Sequence, residues 1–477
     1  MPIKKPKIPA KAIQVSPFEP TRILEIELGQ PLSPITALDE KTGKLYPRAL
    51  CLVRLHTQPL GVVMFQLDER GVSASECAQH IWHSLGTKIN EHLYQNDLSQ
   101  VTEIGDVGLF NSTTPRCLEE REQFLVDAPF VSVIVSTRDR PKPLQSCLRS
   151  LMALHYPHYE VIVVDNAPST NETEDYVQQT YGDVSRVHYI REDRPGLSLA
   201  RNRGMMVAKG EILAFTDDDV VVDAYWLLEL VRSFSITDNV ACVTGLVLPL
   251  ELETLAQFWF EEYIGGSLSN RWFTRRIFDR TKRHVHLLRP GEHGGGSNMA
   301  FTAAFLRSVG GFDPALGAGR KVGGGEDHAA LFLAIARGYK LVHEPASLVY
   351  HMHRRDYATL QKQIYHFGTG FVAYLIKSIL DTPQLLFDLI FKLPLDFISI
   401  LNGRLSKNQE KNIRYPKELN RLELKGIVDG LFAYIQSWRE VRAMGVIVTG
   451  KKKRFLVRVK EKDVLHRNVG IIEERPL

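Results

Sequence analysis

The chain of 477 residues carries 59 Lys and Arg against 55 Asp and Glu, a formal charge of +4 at pH 7, and this balance excludes a strongly basic nucleic-acid binder. A hydrophobic fraction of 44% beside 24% charged residues is that of a globular chain able to bury a core, and the length predicts two or three domains. Five cysteines (Cys51, Cys77, Cys117, Cys147, Cys242) lie far apart without a Cys-x-x-Cys pair, which predicts a reduced, intracellular protein with no structural zinc site.

The opening MPIKKPKIPAKAIQVSP is basic and proline-rich and lacks the apolar stretch of a secretory signal; residues 1–20 are expected to be a disordered arm. RILEIEL (22–28), ALCLVRL (49–55) and LGVVMFQL (60–67) read as strands. SASECAQHIWHSLGTKINEHL reads as a helix, because Ser73 and Glu76 form a capping box and Ala78, Ile81, Trp82, Leu85, Ile89 and Leu93 recur at helical spacing. Residues 1–125 therefore predict a small α+β domain, without a chemical motif. The polar NSTTPRCLEEREQ (111–123) is the expected linker.

From there the pattern alternates. FVSVIVST (130–137) and YEVIVVDN (159–166) are near-continuous apolar runs, as for parallel strands covered on both faces. RVHYI is a shorter strand and EILAFT (211–216) another strong one. KPLQSCLRSLMAL, ETEDYVQQTY and LSLARNRGMMVA fall between them as helices. This order specifies a doubly wound, mostly parallel α/β sheet with right-handed crossovers. Such sheets bind ligands beyond the carboxyl ends of their strands, where Asp165 and the run Asp217–Asp219 fall.

The region 366–477 is expected to be mainly helical. LKGIVDGLFAYIQSWREVRAM places Leu424, Ile427, Val428, Leu431, Ile435 and Trp438 on one face, the pattern of an amphipathic helix. No apolar run reaches the roughly 18 residues of a membrane span. The nearest, 371–401, is interrupted by Lys377, Asp381, Asp388, Lys392 and Asp396 and reads as a buried helical pair, with an interfacial surface as the alternative. KKKRFLVRVK (451–460) reads as a solvated edge, or as a patch drawn to an anionic membrane.

Three adjacent carboxylates repel, and buried ones cost several kcal/mol unless compensated. Asp217 and Asp219, two apart at a strand end, point the same way, and their hard oxygens suit Mg2+ or Mn2+ bridging to a diphosphate. A solvated turn is the plain alternative. STRDRP after the first strand lacks the glycine fingerprint of nicotinamide and flavin sites. Later, Gly323–Gly325 precede Glu326 and Asp327 at the start of an apolar-periodic helix. A carboxylate there stays ionised by the helix dipole, and beside a mobile, open loop it suits a general base; simple capping is the rival reading. The strand KLVHEPASLVYHMHRR ends in His351 and His353, then Arg354 and Arg355, which suit a metal shell and a leaving diphosphate, or an ordinary surface edge.

VSVIVSTRDRPKPLQSCLRSL, GLSLARNRG, FTDDDV, GGGSNMAFTAAFLRSVGGFD and GGGEDHAALFLAIARGYKLVHEPASLVYHMHR, spread over about 130–356, resemble in order and spacing the motifs of family 2 glycosyltransferases, enzymes of GT-A fold. The resemblance implies a GT-A domain over 126–365. It implies that Thr137 and Arg138 line the nucleotide pocket, Asp165 accepts a hydrogen bond from the base, and Arg201 holds base or phosphate. Asp217 and Asp219 match the metal motif, with Asp218 at the ribose. Asp327 matches the catalytic base and His351 a metal-ligating histidine, with His353 as its rival. The Gln-x-x-Arg-Trp motif of processive synthases is replaced by QKQIYHF, which implies non-processive transfer. The implied reaction is inverting, dependent on Mn2+ or Mg2+, from a nucleoside-diphosphate sugar to a glycan, lipid-linked or small-molecule acceptor. The expected location is cytoplasmic, with peripheral contact at the inner membrane face as an extension, and no nucleic-acid partner. A sugar-nucleotide-forming nucleotidyltransferase and a non-enzymatic sugar-nucleotide-binding protein are the competing readings. Trp259, Trp272 and Phe273 read either as sugar-stacking or as core aromatics.

Overall fold

The structure, a computed structural model, describes residues 18–110, 113–264, 270–387 and 415–445. Most of the expected N-terminal arm, the stretch 388–401 and the basic 451–460 lie outside the described residues.

Strands β1 (Thr21–Glu27), β4 (Arg48–Leu55) and β5 (Gln58–Gln66) form one sheet in that order, β1 parallel and β5 antiparallel to β4. A minor hairpin, β2 (Leu38–Asp39) and β3 (Lys44–Leu45), lies beside them. Helix α1 (Ala74–Gln95) starts at Ser73 with the capping box complete and packs Cys77, Ala78, Ile81 and Leu85 against Ala49, Cys51, Val53 and Phe65. The opposite sheet face is also covered. Leu50, Leu52 and Val62 meet Leu246, Leu248, Trp272, Phe273 and Leu348, so β4 is buried on both sides. In the expected linker stands a helix instead, α2 (Arg116–Val126). Its alternating charges mimic a solvated stretch, but Arg121 is buried against Glu229 and the Thr57 hydroxyl. A buried, paired guanidinium anchors the segment where sequence polarity alone suggests exposure.

The second unit alternates as expected. β6 (Val131–Thr137), α3 (Pro141–Met152), β7 (Tyr159–Asn166), α4 (Glu172–Tyr181), β8 (Val187–Glu192), α5 (Leu197–Val207) and β9 (Ile212–Asp217) build the parallel half. Then follow β10 (Val220–Val222), α6 (Trp226–Arg232), β11 (Val240–Pro249), α7 (Leu255–Ile264), β12 (Arg276–Phe278), α8 (Arg283–Leu288), β13 (Met299–Thr302), α9 (Ala303–Val309), α10 (Glu326–Ala336) and β14 (Lys340–His351). The sheet order is β10-β14-β11-β13-β9-β6-β7-β8, with β12 on β14. The long pairings are parallel and the short ones, made by β10, β12 and β13, antiparallel. The chain leaves β6 toward β7 and returns on its other side at β9, which opens a crevice at the carboxyl ends of these strands.

Helices α11 (Tyr357–Asp381) and α12 (Lys417–Ala443) run side by side in the same direction, Tyr357 bonding Glu418 and Tyr365 bonding Asp429. The face of α12 that packs on α11 is not its large apolar stripe. Gly426, Gly430, Ala433, Tyr434 and Ser437 are buried, whereas Leu424 is 62% and Val428 73% exposed, with Leu431 and Ile435 also outward. A Cβ on Gly426 would sit 2.2 Å from the Tyr365 carbonyl oxygen, so the helices touch backbone to backbone. Close packing selected small side chains over the larger apolar stripe.

Candidate active site

Three strand ends lie in register. Thr137 of β6 pairs with Asp165 of β7, and Ser136 with Asp217 of β9. The chain turns through Asp218 and Asp219 into β10, whose Val220 pairs with His351 of β14. This pairing carries His351 across the sheet to the acidic turn. Ligand atoms of Asp217, Asp219 and His351 all lie within 4.8 Å of one another, with His351 Nε2 3.2 Å from Asp219 Oδ1. Asp218 turns inward: it is 3% exposed, accepts a hydrogen bond from the Thr137 hydroxyl (2.7 Å) and pairs with Arg140 (2.6 Å). Arg140 also reaches Asp219 at 2.8 Å, so one guanidinium spans two carboxylates.

The same cations set the electrostatics. Burial works to raise the Asp219 carboxyl, but His351 and Arg140 outweigh it and hold it well below the usual carboxylate range. Burial is decisive at Asp218 and pushes it up to about 7 against the pull of Arg140. Burial opposes a charge on His351, yet Asp219 and Asp217 raise it above its ordinary value.

The other half of the site is the start of α10. Gly325 caps it at φ +91°, and a Cβ there would lie 2.6 Å from the Gly370 carbonyl oxygen on α11. The glycine loop is therefore seated on a helix, not the mobile, open loop expected from its composition. Asp327 accepts the Gly296 N–H (2.8 Å) and the His328 N–H (2.7 Å). Burial would raise it, but His328, Arg201 and these N–H groups keep it ionised. Its neighbour Glu326 is fully enclosed, and burial and the Asp327 charge push it up against Arg201.

Residues 132–298 match the family model described as Glycosyl transferase family 2. That segment is a family 2 glycosyltransferase domain. An uncharacterized protein of Sinorhizobium fredii is 32% identical over 170 residues, 35% of this chain and 17% of its own length. A glucosyl-dolichyl phosphate glucuronosyltransferase of Haloferax volcanii is 27% identical over 187 residues, 38% of this chain and 56% of its own. The chain thus spans about half or less of these curated relatives. A solved mannosyltransferase of Pyrobaculum calidifontis, in complex with GDP-Man and Mn2+, covers 66% of this chain and 94% of its own at 17% identity, with a TM-score of 0.42.

Within and beside the transferase domain the expected residues separate. Thr137, Asp165, Asp217, Asp218, Asp219 and His351 come together around the strand ends, and Asp327 is connected to them by way of Gly296 and Arg201. That arginine, 2% exposed, bonds Glu326 (2.9 Å), Asp217 (3.2 Å) and the Gly296 carbonyl oxygen (3.1 Å). Its guanidinium thus ties Asp217 to Glu326 and to Gly296, whose N–H donates to Asp327, in place of the base or phosphate contact expected from the sequence. Arg138 is half exposed, 3.8 Å from Asp139, and it is Arg140 that reaches Asp218 and Asp219. Asp218, expected at the ribose, is buried and bonds Thr137 and Arg140. His353 Nδ1 lies 3.3 Å from His351 Nδ1, and it is His351 whose ring nitrogen groups with the Asp217 and Asp219 carboxylates. Trp272 and Phe273 pack under the N-terminal sheet, and Trp259 packs on Tyr357. Asp165 is buried, raised by that burial, and accepts the Tyr189 hydroxyl at 2.9 Å, while among the described residues its Oδ1 has no hydrogen-bond partner.

Asp217, Asp219 and His351 fit a divalent cation by donor chemistry: two hard oxygens and an imidazole nitrogen converge, with Asp217 leaving an open side.

Proposed function

We propose that the chain is an inverting, non-processive glycosyltransferase that moves a sugar from a nucleoside diphosphate to an acceptor hydroxyl, with Mn2+ or Mg2+ held by Asp217, Asp219 and His351. The observation that supports this reading is the convergence of Asp217, Asp219 and His351, with Arg201 tying Asp217 to Gly296, whose N–H donates to Asp327. Asp165 Oδ1, buried and unpaired, suits an N–H of the nucleobase. The acceptor hydroxyl gives its proton to Asp327; its oxygen bonds the anomeric carbon as the bond to the diphosphate breaks and the electron pair leaves with the phosphate oxygen. One displacement inverts the configuration, by the logic of single-displacement glycosidases. The cation, when bound, supplies positive charge against the leaving diphosphate. QKQIYHF on α11, in place of Gln-x-x-Arg-Trp, supports transfer of single sugars.

The acceptor is a glycan, a lipid-linked sugar or a small molecule. The outward Leu424, Val428, Leu431 and Phe432 support peripheral contact of α12 with a membrane, hence a cytoplasmic protein acting at its inner face.

The test is incubation of the purified chain with UDP-, GDP- and dTDP-sugars plus Mn2+ and an acceptor mixture. Release of nucleoside diphosphate that stops on chelation is expected. Release of pyrophosphate from sugar phosphates and nucleoside triphosphates, without diphosphate release, would overturn the reading in favour of a nucleotidyltransferase.

A further inference from the structure

Behind the ligand cluster runs a chain of buried polar groups that the proposed sugar transfer does not itself use. Glu261, on α7, is 1% exposed, and its Oε1 lies 2.5 Å from Nε2 of His353. His353 Nδ1 lies 3.3 Å from His351 Nδ1, and the opposite nitrogen of His351 faces Asp219. The carboxylate is acceptor-only, so the His353 proton belongs on Nε2 and its Nδ1 is an acceptor. The contact between the two rings is then a hydrogen bond only if His351 carries its proton on Nδ1. Nε2, which faces Asp219 Oδ1 at 3.2 Å, is then the nitrogen that a cation would bind, in place of the proton it shares with Asp219 without one.

We propose that Glu261 and His353 are positioning residues that hold His351 in the tautomer and ring orientation needed to bind a divalent cation. The inference rests on the metal reading given above. Two further features support it. Phe260 packs on the His353 ring at 4.5 Å, and Gln257 donates to the His353 carbonyl oxygen at 3.4 Å, so α7 fixes both the side chain and the backbone of His353. The same helix is itself held by α11 and the start of α12, through Ala256 and Phe260 against Leu360, Ile364 and Leu419. A buried carboxylate is costly unless it has a partner, and a carboxylate orienting an imidazole ligand is a recurring device at metal centres.

The test uses the full chain and Mn2+, titrated by electron paramagnetic resonance alone and with saturating UDP or GDP. Glu261→Gln keeps an acceptor oxygen and removes the charge; Glu261→Leu removes both. Mn2+ affinity should fall about 10-fold in the first and toward 100-fold in the second, the range for loss of such an outer partner. Circular dichroism of the metal-free Gln variant should match the parent, which separates the effect from unfolding. Nitrogen coupling from an imidazole should appear in the bound Mn2+ spectrum of the parent and vanish in His351→Asn. In that His351→Asn background, Glu261→Gln should change Mn2+ affinity no further. Parent-like affinity in Glu261→Gln, or an undiminished effect in the double variant, overturns the proposal. Absence of Mn2+ binding by the parent with either nucleotide overturns the metal reading and this inference with it.

Discussion

Asp327 and Glu326 are neighbours with opposite surroundings. Asp327 takes two backbone N–H bonds at the mouth of α10, whereas Glu326 points into the protein to Arg201. Asp327→Asn keeps the shape and removes the carboxylate that the proposed transfer uses as proton acceptor, so donor binding should persist while kcat falls by roughly 10²–10⁴-fold. Glu326→Gln should lower kcat less and thermal stability more, since it breaks a buried pair. Steady-state kinetics at saturating donor and Mn2+, with melting curves of both variants, check the asymmetry. The positions of Asp165, Asp217 and Asp327 were legible in the sequence because each sits where an apolar run ends or a helix begins. Arg138 and Arg140 were not separable. Asp139 between them adopts φ +52°, and this left-handed residue swings one arginine out and the next onto the acids. The partners of Arg201 were equally hidden, because Glu326 lies 125 residues away in the chain.

Among the elements, the alternating strands and helices were readable from period and apolar runs, and the capping box of α1 from four residues. The packing face of α12 was not. Hydrophobic periodicity weighs side-chain size, but the α11 contact is set by how closely two backbones approach. Gly426→Val should therefore drive a side chain into the Tyr365 carbonyl and cost about 1–3 kcal/mol or more. Val428→Glu, on the exposed face, should change stability by less than about 0.5 kcal/mol. Urea denaturation of both variants measures the contrast; equal losses would mean that the outward stripe is the packed one.

In the whole molecule, the N-terminal unit is fused to the transferase domain by a shared apolar layer and by charged ties. Sequence reading separated the two units because their patterns differ, and no local signal announces a core built between them. Glu253 is one tie: it bonds Lys44 (2.8 Å) and Tyr46 (2.6 Å) of the N-terminal unit and Arg355 (2.8 Å) just beyond β14. Bonds from Lys44, Tyr46 and Arg355 lower its carboxyl from an ordinary 4.5 to about 2. A depressed carboxylate adds stability above its unfolded value and loses it as pH falls toward the folded one. The contribution should be present above about pH 4.5 and disappear between there and about pH 2, worth about 1 kcal/mol after solvent screening. Melting curves from pH 7 to pH 3 should show Glu253→Gln less stable at neutral pH and converging with the parent in acid.

The seating of the glycine loop on α11 has a mechanical consequence. Ile364 of that helix supports α7, which carries Glu261, and Gly370 supports Gly325 at the threshold of Asp327. These two footholds are six residues apart on one continuous helix, about 9 Å at 1.5 Å per residue. Helix α11 works as a calliper: one stiff rod outside the sheet carries at one foothold the loop before Asp327 and at the other the helix whose Glu261 meets His353. A tilt of that rod, whatever leans on it, moves both jaws at once.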